Sequence, residues 1–368
     1  MKLLLLAGEE SGVLYAERIA KAVRGKDPSA EIRGYGDYGF KTGDLAVMGF
    51  GQVLRRIFYF LGVKRTMERA IDGWKPDVVC TVDYPGLNLK LAAYAKNRGI
   101  RSVHVVCPQV WAWKKGRIPK IEASLDKLCC FFPFEPALFR TGFAEFVGHP
   151  LVDEMKDFAA KGHKEGAEKV LAVLPGSRLG EIEKHMPVLL DVINALCAPS
   201  APLCGKIKVV IPAANERACE KIESILDCGA SGTSRPTITC GGAREALRDA
   251  DAAIVASGTA TLEAALAGCP TVLVYRVGWL FAFLARRFIK GIRHIGLANI
   301  IAERAGTPCP MPELLQEDFT AENILQYVRP WLTDPVANAV ARQALDDTMK
   351  LLKSDGGAIE RIADFVRV

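Results

Sequence analysis

Ser257-Gly258-Thr259-Ala260-Thr261-Leu262-Glu263-Ala264-Ala265-Leu266-Ala267-Gly268-Cys269-Pro270 is the stretch on which the reading of this chain turns. It follows an apolar run, Ala252 to Ala256, that reads as a buried parallel strand. A small-residue turn then enters an alanine-rich helix. Such a turn lets backbone N–H groups and a helix N-terminus face an anion. Glu263 falls one turn into that helix, within reach of a ribose beside bound phosphates. The stretch therefore predicts a sugar-nucleotide pocket. A tight strand-to-helix joint of an ordinary α/β domain is the plain structural alternative.

Outward from this point the rhythm is strand, then helix. In the first half, strands are expected at Lys2–Leu6, Asp77–Val82, Ser102–Cys107, Leu128–Phe132 and Glu145–Val147, with helices at Ser11–Val23 and Leu87–Asn97. A polar stretch from Lys156 to Gly166 reads as a linker. The rhythm restarts at Val170–Leu174 and continues through Ile207–Ile211, Thr237–Thr239, Ala252–Ala256 and Thr271–Tyr275, and the tail from Thr320 onward is helical. Continuous apolar strands imply parallel sheets covered on both faces. The expected fold is α/β, with two Rossmann-like domains facing across a cleft and C-terminal helices. The domains are placed at 1–165 and 166–344, with helices at about 345–368 packing back on the first.

Composition narrows the class. The chain has 368 residues, half of them hydrophobic and 24% charged, and carries a net charge of +6. That profile fits a soluble globular protein of two domains. No apolar run reaches the roughly 18–20 residues of a spanning helix. Met1-Lys2-Leu3-Leu4-Leu5-Leu6 is too short for a signal peptide and reads as a first buried strand. The 11 cysteines show no C-x-x-C pair, so free buried thiols and no metal site are expected. Basic residues lack the aromatic interleaving of RNA-binding modules, and nucleic acid is not expected as a partner.

Two segments break the rhythm. Phe50 to Ile71 includes Phe58, Phe60 and Leu61 beside Arg55, Arg56, Lys64 and Arg65, and Trp279 to Arg293 includes Phe281 and Phe283 beside Arg286 and Arg287. Basic amphipathic helices of this kind suit a membrane surface or acyl chains. The alternative is a helix that buries its apolar face in the core.

Several residues fall at strand ends, where open α/β sheets bind ligands. Arg178, in Pro175-Gly176-Ser177-Arg178, offers fixed donors to phosphate oxygens, with a structural Arg178–Glu181 pair as the alternative. Asp83 is a candidate general base, or else a cap of the next turn. Ala7-Gly8-Glu9-Glu10-Ser11-Gly12 lacks both the dinucleotide fingerprint and a P-loop lysine, so this first loop (Glu9, Ser11, Gly12) is left to admit a second substrate. His149 reads as a structural hinge residue. No G-x-S-x-G elbow is present, which leaves serine hydrolase chemistry unsupported.

Taken in order, Ala7–Gly12, Leu45–Gly49, Pro108-Gln109-Val110-Trp111-Ala112-Trp113, Phe132-Pro133-Phe134-Glu135, Val147-Gly148-His149-Pro150, Leu174–Arg178, Ser257–Pro270, Tyr275-Arg276, Asn299-Ile300 and Pro312–Gln316 make a chain that resembles the lipid-A-disaccharide synthase family over nearly its whole length. The resemblance implies a GT-B glycosyltransferase that joins UDP-2,3-diacylglucosamine to 2,3-diacylglucosamine 1-phosphate (lipid X) with inversion, giving a β-1,6-linked disaccharide and UDP. It implies no cofactor or metal, and a peripheral position on the anionic cytoplasmic face of the inner membrane of a Gram-negative bacterium. A homodimer stays open. Carried over by position, Asp83 is the proposed base and Arg178 the essential arginine. Ser257, Gly258, Thr259, Glu263, Arg276, Asn299 and Gln316 fall on the donor UDP side. Two positions depart from the family pattern: Val13 replaces an Asp, and Ala298 replaces a Pro. The rival readings are another UDP-N-acetylglucosamine-using GT-B enzyme, such as a 2-epimerase, and an inactive membrane-bound UDP-binding homologue.

Overall fold

A computed structural model describes residues 1–8, 10–40, 53–112, 115–158, 168–229, 235–277 and 293–367; for 10, 11, 53–58, 228 and 229 it describes the backbone only. The chain divides into two compact units, Met1–Asp153 with Leu352–Val368, and Glu154–Leu351. The first boundary lies upstream of residue 165, and the returning tail starts at Leu352 rather than about 345.

The first unit holds a six-stranded parallel sheet in the order β2-β1-β3-β4-β5-β6. Its strands are β1 (Lys2–Ala7), β2 (Glu31–Arg33), β3 (Val78–Val82), β4 (Arg101–Val105), β5 (Lys127–Cys130) and β6 (Ala144–Phe146). Leu4, Leu6 and Val79 pack on one face with Val63, Met67 and Ile71 of the helix Val53–Trp74. Leu3, Cys80 and Val103 pack on the other with Ile362 and Val366 of the C-terminal helix Ala358–Val366. Lys26 pairs with Asp364 at 2.6 Å and fixes that helix beside the helix Glu10–Lys26. Val13 faces this same core.

The second unit repeats the plan in the order β12-β11-β10-β7-β8-β9. It comprises β7 (Lys169–Leu174), β8 (Ile207–Ala213), β9 (Thr237–Cys240), β10 (Ala252–Ala256), β11 (Thr271–Tyr275) and β12 (Glu313–Leu315), and every pairing is parallel. One large apolar cluster, centred on Leu171, Ile254 and Phe319, joins the sheet to its helices. Cys219 and Cys240 form a disulfide, which corrects the expectation of free thiols throughout. Cys80, Cys107, Cys129, Cys130, Cys269 and Cys309 are free thiols.

Strand order reverses once in each sheet, between β1 and β3 and between β7 and β10. Parallel α/β sheets bind ligands beyond the carboxyl ends of the strands at such a point, because the two connections there leave on opposite faces. The loops that matter are therefore those after Ala7, Val82, Leu174 and Ala256.

Candidate active site

In the first unit, β3 ends at Val82 and the next two residues turn left-handed, Asp83 at φ 50° and Tyr84 at φ 48°. Non-glycine residues avoid that region, so neighbours must hold them there. Asn88, fully buried, donates from Nδ2 to the carbonyls of Val82 (3.1 Å) and Asp83 (2.8 Å), and its Oδ1 accepts from Tyr35 Oη at 2.7 Å. The Asp83 N–H donates to Val105 O on β4 at 2.9 Å. A Cβ on Gly8 would lie 2.7 Å from the Tyr84 ring, so the loop after β1 approaches this turn only as glycine. Gly12 is buried, with Val82 O 3.4 Å from the place of a Cβ. Glu9 and the Ser11 side chain lie outside the described residues.

Asp83 lines a cavity of about 290 Å³ together with Pro108, Gln109, Arg117, Phe131, Phe132 and Glu135. Burial raises the Asp83 pKa above the usual carboxylate value, partly offset by the Tyr84 backbone N–H. Val106, also at the rim, is left-handed at φ 76°, a costly geometry for a β-branched residue.

Glu135 is the buried acid of this wall. Trp111 Nε1 donates to its Oε1 at 3.2 Å and the Phe132 N–H to its Oε2 at 3.1 Å. The carboxyl thus ties the Pro108–Trp113 motif to the Phe132–Glu135 motif. Burial outweighs these bonds and pushes its pKa up to about 8. Cys107 Sγ, Cys130 Sγ and a Glu135 oxygen lie within 4.8 Å of one another. Such a set offers soft ligands to a divalent ion, but binding needs them deprotonated. The bond to Cys130 and burial hold the Cys107 thiol protonated, and burial does the same for Glu135. No C-x-x-C spacing announced this set, because the ends of two strands, β4 and β5, and the loop after β5 bring it together. His149 is buried against Phe131 and Phe132, accepts from the Leu151 N–H at 3.1 Å, and is kept neutral by burial, its pKa lowered to about 4.

In the second unit, the paired strands β7 and β10 deliver the Pro175–Arg178 turn and the Ser257–Gly258 turn side by side. Gly176 at φ 119° admits the Glu181 carboxylate, which a Cβ would meet at 2.7 Å. Glu181 Oε2 accepts from the Ser177 and Arg178 N–H groups, and Arg178 Nη1 donates to Glu181 Oε1 at 3.0 Å. The structural Arg178–Glu181 pair is therefore present, yet the arginine side chain remains 80% exposed. Gly258 carries no side-chain cap for the helix Thr259–Leu266, and a Cβ on it would meet nothing within 4 Å. The N–H groups of Thr259 and Ala260 have no side-chain cap, while that of Thr261 bonds Gly258 O at 3.1 Å. Ser257 is half-buried and Thr259 exposed. Glu263 accepts from Arg244 Nε at 2.8 Å, and Arg244 Nη2 also donates to Glu154 at 3.0 Å.

Three donor-side residues make bonds within their own unit. Asn299, 1% exposed, donates to Met311 O and Glu313 Oε1 and accepts from the Met311 N–H, so its whole amide is used inside the unit. Arg276 donates to the carbonyls of Gln316 (3.1 Å) and Phe319 (2.6 Å) and lies over the Phe319 ring. Gln316, left-handed at φ 53°, turns its amide to the backbone of Val277. Arg276 and Gln316 thus brace the turn that follows β11. Ala298 is fully buried.

Of the membrane-facing expectations, Trp279, Phe281 and Phe283 lie outside the described residues, as does the Phe58 side chain. Phe60 is half-buried against Tyr84, with ring centroids 6.1 Å apart. Leu61 is 42% exposed. Among the described residues no helix is long and apolar enough to cross a membrane.

Comparison with known proteins bears on this arrangement. Solved structures with the same fold include a Staphylococcus aureus MnaA–UDP co-structure (TM-score 0.61, 14% identity, 100% of this chain and 96% of that one) and Acinetobacter baumannii MurG (TM-score 0.59, 14% identity, 100% and 99%). At that identity they show two Rossmann-like domains of the GT-B kind and no more. Sequence relatives go further. Lipid-A-disaccharide synthases of Acidobacterium capsulatum (34% identity, 97% of this chain, 94% of the relative), Chromohalobacter salexigens (35%, 100% and 96%) and Neisseria meningitidis (35%, 95% and 93%) align almost end to end. The family model described as lipid-A-disaccharide synthetase matches residues 3–355, a span that takes in both switch points, and so the chain belongs to the lipid-A-disaccharide synthase family of glycosyltransferases.

Proposed function

We propose that this protein condenses UDP-2,3-diacylglucosamine with 2,3-diacylglucosamine 1-phosphate, giving UDP and a β-1,6-linked disaccharide 1-phosphate. The observation that carries the reading is the placement of Arg178 and Ser257–Thr259 on neighbouring strands at one switch point. A guanidinium and an uncapped helix start there suit a diphosphate.

The acceptor 6-hydroxyl attacks the donor anomeric carbon as the bond to UDP breaks, with inversion. Asp83 takes the hydroxyl proton. Burial, by raising its basicity, fits it to that task. The UDP leaving group gains negative charge, which Arg178 and the helix N–H groups balance without a metal or other cofactor. Preorganised donors of this kind supply about 3–4 kcal/mol each. Among the described residues only Oε1 of Glu263 is bonded, to Arg244, and the other oxygen is left for the ribose. The enzyme works as a peripheral protein on an anionic membrane surface, where Leu61 and the segment around Trp279 meet acyl chains.

A radiolabelled donor incubated with both acylated substrates tests this. Disaccharide should form only when both are present, and chelator should leave the rate unchanged. Conversion of UDP-N-acetylglucosamine alone would identify a 2-epimerase instead.

A further inference from the structure

The cavity beside Asp83 contains a charge that the proposed chemistry does not use. Arg117 lines it, half-buried, at the end of the short turn Lys115–Arg117. Among the described residues no carboxylate lies within ion-pair distance of it. Of the two carboxyls on the same wall, Glu135 is committed to Trp111 and Phe132, and the Asp83 carboxyl accepts from the Tyr84 backbone N–H. A half-buried guanidinium on a cavity wall, with no counter-charge among the described residues, offers a place for an anionic ligand, since its planar fork of donors matches carboxylate and phosphate oxygens.

The rest of the wall says what else the ligand carries. Pro108, Phe131 and Phe132 give it an apolar and aromatic side, and Gln109 adds an amide. At about 290 Å³ the space matches the low end of small-molecule sites, roughly 300 Å³. That is room for a single sugar ring, with long chains left outside.

We infer that Arg117 binds the phosphate of the acceptor, so that one small cavity holds the acceptor's charged end at Arg117 and its reacting hydroxyl at Asp83. The phosphate and the identity of the acceptor rest on the function proposed above; the preference for an anionic ligand at Arg117 does not. Arg117 then selects phosphorylated over unphosphorylated acceptors and leaves donor recognition to the second unit.

The test compares the wild type with Arg117→Gln and Arg117→Lys, using 2,3-diacylglucosamine 1-phosphate and the same lipid without phosphate in detergent micelles. Binding is read by calorimetry and turnover by disaccharide formation. The wild type should prefer the phosphorylated lipid, and Arg117→Gln should raise its Kd and KM about ten- to a hundredfold, as for a lost bond to a charged group. The KM for the UDP-sugar should stay put, and Arg117→Lys should recover part of the loss. A folded Arg117→Gln protein that keeps the wild-type preference overturns the assignment, as does a wild type that binds both lipids equally. Inorganic phosphate is titrated alongside: if it binds as tightly as the phosphorylated lipid, the sugar is not recognised and the acceptor assignment falls. If binding shows the Arg117-dependent preference but no disaccharide forms, the phosphate subsite stands and the proposed reaction fails. If disaccharide forms with the preference intact in Arg117→Gln, the reverse holds.

Discussion

The two switch-point turns are built in opposite ways. The turn after β3 is closed: its left-handed pair Asp83–Tyr84 is pinned by buried Asn88, Gly8 admits Tyr84 at close range, and burial raises the pKa of Asp83. The turn after β10 is open: Gly258 has empty space before it, the helix start has no side-chain cap, and the neighbouring arginine is 80% exposed. A base needs a fixed position and a partly dry setting, and that requires buried hydrogen bonds. A diphosphate needs unoccupied donors, which the open turn keeps available. The difference fits the proposed division, with proton transfer in one unit and nucleotide binding in the other.

The sharpest way to break this division is Asp83→Asn. Turnover should fall about 10²–10⁴-fold, with thermal stability nearly unchanged because the amide keeps the size of the side chain. Near-normal turnover would remove Asp83 from the chemistry.

The closed wall should also show in the pH dependence of stability. Glu135 is protonated when folded up to about pH 8 but titrates near its ordinary 4.5 when unfolded. Between those values the folded state binds the extra proton, so stability falls as pH rises, by about 1.4 kcal/mol per pH unit at most. Glu135→Gln should flatten this slope in denaturant melts from pH 5 to 8. It should also lower stability overall, since one of the donors from Trp111 and Phe132 loses its acceptor. An unchanged slope would place the titration elsewhere.

On the open side, Arg178→Ala should weaken UDP binding about ten- to a hundredfold. Stability should change by less than about 1 kcal/mol, the usual value of an exposed ion pair. Calorimetry that finds UDP affinity unchanged would free Arg178 from the donor role. A smaller effect, about tenfold on UDP affinity, is expected from Thr259→Pro. Proline is favoured at the first helical position and Gly258 before it lies outside the α region that a following proline disfavours, so the helix is kept while one N–H donor and the Thr259 hydroxyl are lost.

How far the sequence revealed these turns depends on what each is made of. Ala252–Ala256 and Thr271–Tyr275 are continuous apolar runs between turn residues, and they are strands with those same ends. β2 and β12 escaped notice, being three-residue edge strands with Glu31, Arg33 and Glu313 on partly exposed positions. The turns carrying Arg178 and Ser257 were legible because glycine and small residues follow buried strands. The cavity wall was not: Glu135, Arg117, Cys107 and Cys130 come from separate loops and strand ends that only topology joins. A carboxylate set among phenylalanines and prolines at 131–136 is the one local signal that marked Glu135. In the segment from Phe50 to Ile71 the pattern was read, but the sequence could not say which side is covered; Val63, Met67 and Ile71, one helical turn apart, turned out to face the core.

The division of labour is tested most directly by titrating UDP into Asp83→Asn by calorimetry. The account predicts a wild-type Kd in a protein whose turnover has fallen at least about a hundredfold. A UDP affinity that falls together with turnover would contradict it, because the nucleotide would then depend on the closed turn as well.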